Sequence, residues 1–460
     1  MENQQLRWLG CREQWSRGSA PEMDVLLRGY SVNAPTWFYL STLLILAVFY
    51  RFNRLWSLRN VDLVLLLLAS PGLLFVRNDG TRQLGYIWLF SLSGLYLARL
   101  LFDPILQRRP QLSQNLNNGG LIFLCAAAFV FLSTKAITDT LPRSTTVTVE
   151  HAEALLNRTS LPHLPQMQGE PAPGPAATLI AAPVEFVFEN LAARILSILT
   201  HGAVVAGLIV AGKKLFGDVQ LGLAAATLYM LLPGTAYDVG KFNHVLPAAL
   251  IVWAIVFYRR PIWAGIFLGL ACGAMFFPVF LLPLWFAFYG RRGSLKFGIA
   301  LGAVAVVLMG SLALTSLDGP TFVNKILGSI DLEVLAFRSD SQMEGFWKEA
   351  EYLSVYRLPV IALYCIQLIV LTVFPRQKNV EHLLAHSAAI IISTQFWYTQ
   401  QGGVYVLWYL PLFLMVVFRP RLLHLLPPDS QIDENVSAIR DRKSPEIAAT
   451  SGAVRSQLYR

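Results

Sequence analysis

Charged residues are scarce in this chain: Asp, Glu, Lys and Arg make up 14% of its 460 residues, where a soluble globular domain carries about 25%. Hydrophobic residues make up 55%, and mean hydropathy is +0.51. A water-soluble globule has nowhere to hide so much apolar surface, and a disordered chain would be far more polar. Cysteine is nearly absent. Cys125, Cys272 and Cys365 lie inside apolar runs and Cys11 stands alone, so neither a zinc site nor a disulfide framework is expected. Also missing are a Gly-rich phosphate loop and an HExxH pair, which leaves a soluble nucleotide-dependent or metalloprotease mechanism without support. No signal peptide is expected, since the first apolar run begins only near Pro35.

What remains is an integral membrane protein. The net charge of +9 is dispersed in short basic clusters between apolar runs, which is the pattern of cytoplasmic membrane loops rather than of a nucleic-acid face. Spanning about 30 Å of hydrocarbon takes about 20 helical residues. Candidate spans are Thr36–Tyr50, Val61–Val76, Leu84–Phe102, Leu121–Leu132, Leu191–Val210, Val219–Leu232, Phe242–Tyr258, Ile262–Tyr289, Phe297–Leu317, Leu358–Val373, His382–Tyr398 and Val404–Val417. The expected fold is all-α: a polytopic transmembrane helix bundle of about 11–13 spans with a long external loop.

Basic residues fall in every second connection: Arg51, Arg54 and Arg59, then Arg108 and Arg109, then Lys213 and Lys214, then Arg259 and Arg260. These connections are expected in the cytoplasm. The opposite connections are acidic. Residues 133–190 hold six acids and three bases, and residues 318–357 hold seven acids and four bases. The expected organisation is a polar, external N-terminal segment (1–35), N-terminal transmembrane helices (36–132), an external loop (133–190), a transmembrane core (191–417) with a second external loop (318–357), and a disordered cytoplasmic tail (418–460). Within the first loop, the Pro- and Ala-rich stretch Pro162–Pro183 reads as an exposed linker.

One segment breaks the alternation. Ile262–Tyr289 is preceded by Arg259-Arg260 and followed by Arg291-Arg292, so a single crossing would leave one basic pair on the wrong face. Pro278 removes a backbone donor and disfavours helix at Phe277. Two short helices returning to the same side, a re-entrant hairpin, resolve the conflict; protein or a water-filled cavity must then satisfy the freed backbone groups. Gly265, Gly269 and Gly273 recur every four residues on its first helix and lie along one face, which reads as a close-packing stripe.

The densest chemistry-bearing group is Asp238-Val239-Gly240-Lys241-Phe242-Asn243-His244 at the outer start of the seventh span. Lys241 and His244 are three apart and share a face, so they could hold a phosphate, with Asn243 bonding a hydroxyl and Asp238 accepting a proton. The alternative is a solvated helix start, with Asp238 as a favourable charge against the helix dipole. Asp139, just beyond the fourth span, could serve as a general base if partial burial raised its pKa, or be a wet loop acid. His201, mid-span, reads as a hydrogen-bonded structural histidine. The aromatic run from Phe396 to Tyr398, with Trp408 and Tyr409, reads as an interfacial belt.

The stretch Asp238 to Arg292 resembles multi-pass glycosyltransferases of the GT-C superfamily, particularly the mannosyltransferase-like branch that uses polyprenyl-phosphate sugars. The resemblance lies in Gly240-Lys241-Phe242-Asn243-His244, the basic Tyr258-Arg259-Arg260-Pro261, the glycines 265, 269 and 273, and Phe276-Phe277-Pro278 leading to Leu281-Leu282-Pro283-Leu284-Trp285. Two positions depart from it. Met275 stands near where relatives carry a lysine, and four spans precede the long outer loop instead of one. Either the N-terminal spans are an addition, with Leu121–Leu132 as the functional first helix and Asp139 as the matching acid, or the activity has been lost; the former is the reading adopted.

The resemblance implies sugar transfer on the extracytoplasmic face from a polyprenyl-phosphate donor. An aspartate, Asp139 or Asp238, would deprotonate the acceptor, while Lys241 and His244 neutralise the departing phosphate. No cofactor is specified, with room for a divalent cation. The implied partners are membrane lipid, the lipid-linked donor and an unknown acceptor, without nucleic acid, in a bacterial inner (plasma) membrane. A transporter or flippase for a lipid-linked or polar solute, or a non-catalytic membrane scaffold, are the alternatives.

Overall fold

The computed structural model describes residues 33–106, 114–159, 173–316, 345–349 and 354–428, together with 319, 322 and 323. Most of the N-terminal segment, of the second external loop and of the C-terminal tail therefore lies outside the described residues, as does the linker up to residue 172. Among the described residues fourteen α-helices of nine residues or more form the framework: α1 (Ala34–Phe49), α2 (Leu58–Arg77), α3 (Arg82–Phe102), α4 (Asn118–Thr138), α5 (Arg143–Asn157), α6 (Pro175–Phe188), α7 (Ala192–Ala211), α8 (Val219–Leu231), α9 (Phe242–Val256), α10 (Pro261–Ala274), α11 (Leu282–Leu314), α12 (Arg357–Val373), α13 (Val380–Trp397) and α14 (Leu410–Phe418). Among the described residues the only β pairing is an isolated bridge between Gly345 and Gly402. Five stretches are long and apolar enough to cross a membrane, and six shorter apolar helices accompany them. The protein is an all-α polytopic bundle.

Local sequence explains where helices begin. Asn33, Ser57, Asn117, Asp218 and Asn379 each accept a hydrogen bond from a first-turn backbone N–H through their side chains, satisfying donors that the helix leaves unpaired. Lipid supplies no hydrophobic drive between helices, so small residues set the closest approaches. A Cβ at Gly212 of the α7–α8 turn would come within 2.6 Å of Gly222 in α8.

The basic connections gather at one end of the bundle. Phe49, closing α1, meets Phe418 at the end of α14, and Asn115 before α4 donates to Val48 O at 2.7 Å. Asn117 and Asp218, capping α4 and α8, line one polar cleft. Lys214 lies 4.7 Å from the Phe257 ring at the end of α9. The Tyr289 hydroxyl in turn donates to Tyr258 O at 2.8 Å, which joins that end to Gly290. This is the end that the positive-inside rule leads one to expect in the cytoplasm. Here Arg99 of α3 grips Asp62 of α2 at 2.6 and 2.9 Å and Asp103 at 2.8 Å, while Arg419 pairs with Asp103 and with Glu381 of α13.

The hairpin is visible in the same geometry. α10 ends at Ala274, Met275 is extended (φ −152°, ψ 159°), and a 3-10 turn over Phe277–Leu281 leads into α11. The returning helix ends at Gly290, whose φ of 65° is a left-handed conformation that glycine adopts without steric cost. The chain then leaves again. Gly265 faces Phe297, Gly269 faces Val304 and Gly273 faces Leu308, so α10 runs parallel to the outgoing part of α11. A Cβ at Gly265 would come within 2.6 Å of Phe297 O; the stripe is a packing surface.

Two expectations are corrected. The first external loop is not an open linker past residue 174: Pro175 opens α6 at a first-turn position, where its missing N–H costs nothing, and alanines carry the helix on through Pro183. Gly174 N donates to Ala274 O at 3.1 Å, so α6 starts against the hairpin tip. The last span is shorter than its apolar run. Residues 404–409 are irregular or 3-10 and helix begins only at Leu410, with Pro411 in its first turn.

Candidate active site at the outer end

The outer end is organised around the turn before α9. A single helical turn, Pro233–Tyr237, precedes it, and the Tyr237 hydroxyl reaches Ala34 O at 3.3 Å. His201 holds the turn from below, with Nε2 3.2 Å from Val239 O and Nδ1 2.9 Å from the Tyr229 hydroxyl; it is the structural histidine expected. Gly240 O accepts from Thr145 of α5 at 2.9 Å and from Ser197 of α7 at 3.2 Å. The peptide carrying Asp238 and Lys241 is therefore clamped from two sides.

Asp238 lies in this turn with its side chain 11% exposed. Arg77, the last residue of α2, meets it at 3.1 Å and also donates to Tyr237 O at 2.6 Å. Lys241 meets the same carboxylate oxygen at 3.4 Å and is 23% exposed. Burial opposes ionisation of Asp238, but Lys241 and Arg77 outweigh it and hold the carboxyl below the ordinary carboxylate range. Two cations thus face one carboxylate, with the Arg77 side chain 45% exposed. Arg77 lies 161 positions from Asp238 and was not singled out in the sequence. Its signal was an arginine on the side where basic residues are otherwise few.

The other expected residues divide. Asn243 faces α5 instead of an open site: its amide nitrogen donates to Ser144 O and to the Thr148 hydroxyl, both at 2.9 Å. Both amide hydrogens are consumed in docking α5. His244 is 2% exposed and does not pair with Lys241; its Nδ1 takes a hydrogen bond from Trp408 Nε1 at 2.9 Å. Asp139 caps α4 and pairs with Lys135, its side chain 40% exposed. It stands three residues before Pro142, which packs on Gly240, so both candidate acids reach the same end of the bundle.

The aromatic residues assigned to an interfacial belt are instead internal. Trp397, Tyr398, Trp408 and Tyr409 are buried: the hairpin tip docks on the first three, and Tyr409 meets Tyr96 of α3. Phe276 stacks on Tyr398 at 4.8 Å, and Phe277 on Trp408 at 4.5 Å. Met275 is buried beside this contact, so an apolar side chain suits its place. Among the described residues no group of three or more His, Cys, Asp or Glu could hold a metal ion, and no residues are assigned to a divalent cation. The family model for Glycosyltransferase family 87 matches residues 174–418, more than half of the chain, with Asp238, Lys241 and His244 inside the match and Arg77 and Asp139 before it. No curated protein and no solved structure matches the chain.

Proposed function

We propose, from the premise that this integral membrane protein belongs to glycosyltransferase family 87, that it transfers a sugar from a polyprenyl-phosphate donor to an acceptor hydroxyl at the outer end of the bundle. The observation that carries this reading is the Arg77–Asp238–Lys241 cluster, which gathers two cations around one carboxylate at the end of the bundle that Asp139 also reaches. In the transfer, the acceptor oxygen loses its proton and attacks the anomeric carbon while the bond from that carbon to the phosphate oxygen breaks. Negative charge then grows on the departing lipid phosphate. Arg77 and Lys241 stabilise that charge in place, without reorganising water.

Asp238 is ill suited to take the acceptor proton, since two cations stabilise its ionised form. Asp139, half-exposed beside a single lysine, is the better general base. Asp238 then serves to hold Arg77 and Lys241 in register, and Asn243 to hold α5. Mannose is the first sugar to test, and a bacterial inner membrane the first setting.

The test is direct. Purified protein in detergent should consume a radiolabelled polyprenyl-phosphate mannose and release polyprenyl phosphate, whereas a transporter has no compartments there and should do nothing. Asp139→Asn should remove turnover while leaving the melting transition in place. Full wild-type turnover in Asp139→Asn would take that residue out of the mechanism, and no consumption of any polyprenyl-phosphate sugar by the wild type would sink the transfer reading itself.

A further inference from the structure

We propose that Trp408 is a positioning residue that locks His244 in the neutral tautomer bearing its proton on Nε2, and so presents a buried N–H donor to a phosphate oxygen of the lipid donor. An indole Nε1 can only donate. At 2.9 Å from His244 Nδ1, it requires that nitrogen to be an unprotonated acceptor, and a neutral imidazole then carries its proton on Nε2. The ring is also held in plane: it lies 5.1 Å from Tyr405 at 10° and 6.0 Å from Trp408 at 14°, and those two rings stack at 4.3 Å and 4°.

The far side of the ring is what points to a ligand. His244 Nε2 is buried and has no hydrogen-bond partner among the described residues, although buried donors are almost always satisfied. His201 provides the contrast, since both of its ring nitrogens have protein partners. His244 sits in the first turn of α9, three residues beyond Lys241, and so extends the cationic cluster inward with a neutral donor. Trp408 also carries Phe277 of the hairpin tip, which fixes its own plane from the opposite face. The phosphate half of this proposal rests on the transfer reading; the tautomer does not.

Solution NMR of protein labelled with 15N-histidine, with His244→Gln used for assignment, reads the tautomer. Expected are an unprotonated Nδ1 and a protonated Nε2 for His244, and a shift of the Nε2 signal on adding decaprenyl monophosphate while His201 stays put. In the transfer assay, His244→Gln places an amide nitrogen near the Nε2 position and should retain most turnover, whereas His244→Asn should lose about 10²-fold, the usual consequence of deleting one such donor. Trp408→Phe keeps an aromatic ring but removes the N–H; it should lower turnover about tenfold in the wild-type background and leave His244→Gln unaffected.

A protonated Nδ1, an Nε2 signal indifferent to decaprenyl monophosphate, or equal losses from Trp408→Phe in both backgrounds would overturn the proposal. A wild type that moves no sugar would end the transfer reading alone, because the two NMR signals report tautomer and phosphate contact without turnover.

Discussion

At the basic end of the bundle, Asp62, Asp103 and Glu381 meet Arg99 and Arg419 in a sealed network, with Arg419 and Asp103 wholly buried. At the outer end Asp238 meets Arg77 and Lys241, whose side chains are 45% and 23% exposed. The chemistry of the pairs is the same and their exposure differs. Where the pairs are sealed from water, the network joins α2, α3, α13 and the end of α14. Where the cations reach solvent, a ligand can approach them. A buried ionic group contributes little net stability when intact yet is costly to break, whereas a partly exposed one has charge to spend on chemistry.

The largest expected effect comes from breaking the sealed end. Arg419→Met would leave Glu381 without its guanidinium and Asp103 with Arg99 alone, a loss of about 3–5 kcal/mol, read as a drop in thermal unfolding temperature in detergent. A melting curve unchanged from wild type would show that the network is not a clamp. At the open end, Asp139→Asn should reduce kcat by about 10²–10⁴-fold without moving the melting curve, and a parallel loss of both would assign the residue to the fold.

Smaller effects separate charge from structure. Lys241→Gln and Arg77→Gln should each weaken use of the lipid-linked donor about tenfold to hundredfold, the range for a hydrogen bond to a charged group. Both should leave the acceptor KM alone, so an equal rise in both KM values would argue against a phosphate site. The smallest effect concerns pH. Because the Asp238 carboxyl is held below its ordinary range by Lys241 and Arg77 against burial, its contribution to stability is complete above about pH 4, the unfolded carboxylate value. It is lost as pH falls through the depressed folded value. Comparing wild type with Asp238→Asn across that acid range should therefore show the two melting temperatures converging as pH drops; a constant gap would refute the ionic role.

Much of the fold was legible from residue patterns. Apolar runs located the spans, since hydrocarbon thickness dictates their length, and two arginine pairs forced the chain between them to return to the side it left. Proline at 278 then marked the tip of the hairpin, while the glycine at 290 that ends the returning helix came only from the structure. Less of the site was legible. Asp238 and Lys241 stood out because charges near a bundle are few, but Asn243 looked like a ligand and proved to be the anchor of α5. Trp408 looked like an interfacial residue and proved to be the partner of His244, because an aromatic run reads identically whether lipid headgroups or a docked hairpin tip covers it.

Composition and the placement of basic residues by themselves determined that this chain lives in a membrane and where it doubles back, because both follow from the cost of moving charge and backbone polar groups into hydrocarbon. Only the tertiary structure decided that Arg77 joins Asp238 across 161 positions, that α5 folds down over the start of α9, and that one nitrogen of His244 is spoken for while the other is not. Such pairings depend on which helix faces are brought within hydrogen-bonding distance, and helices that all present apolar residues to lipid and to one another carry no pattern from which their neighbours could be read.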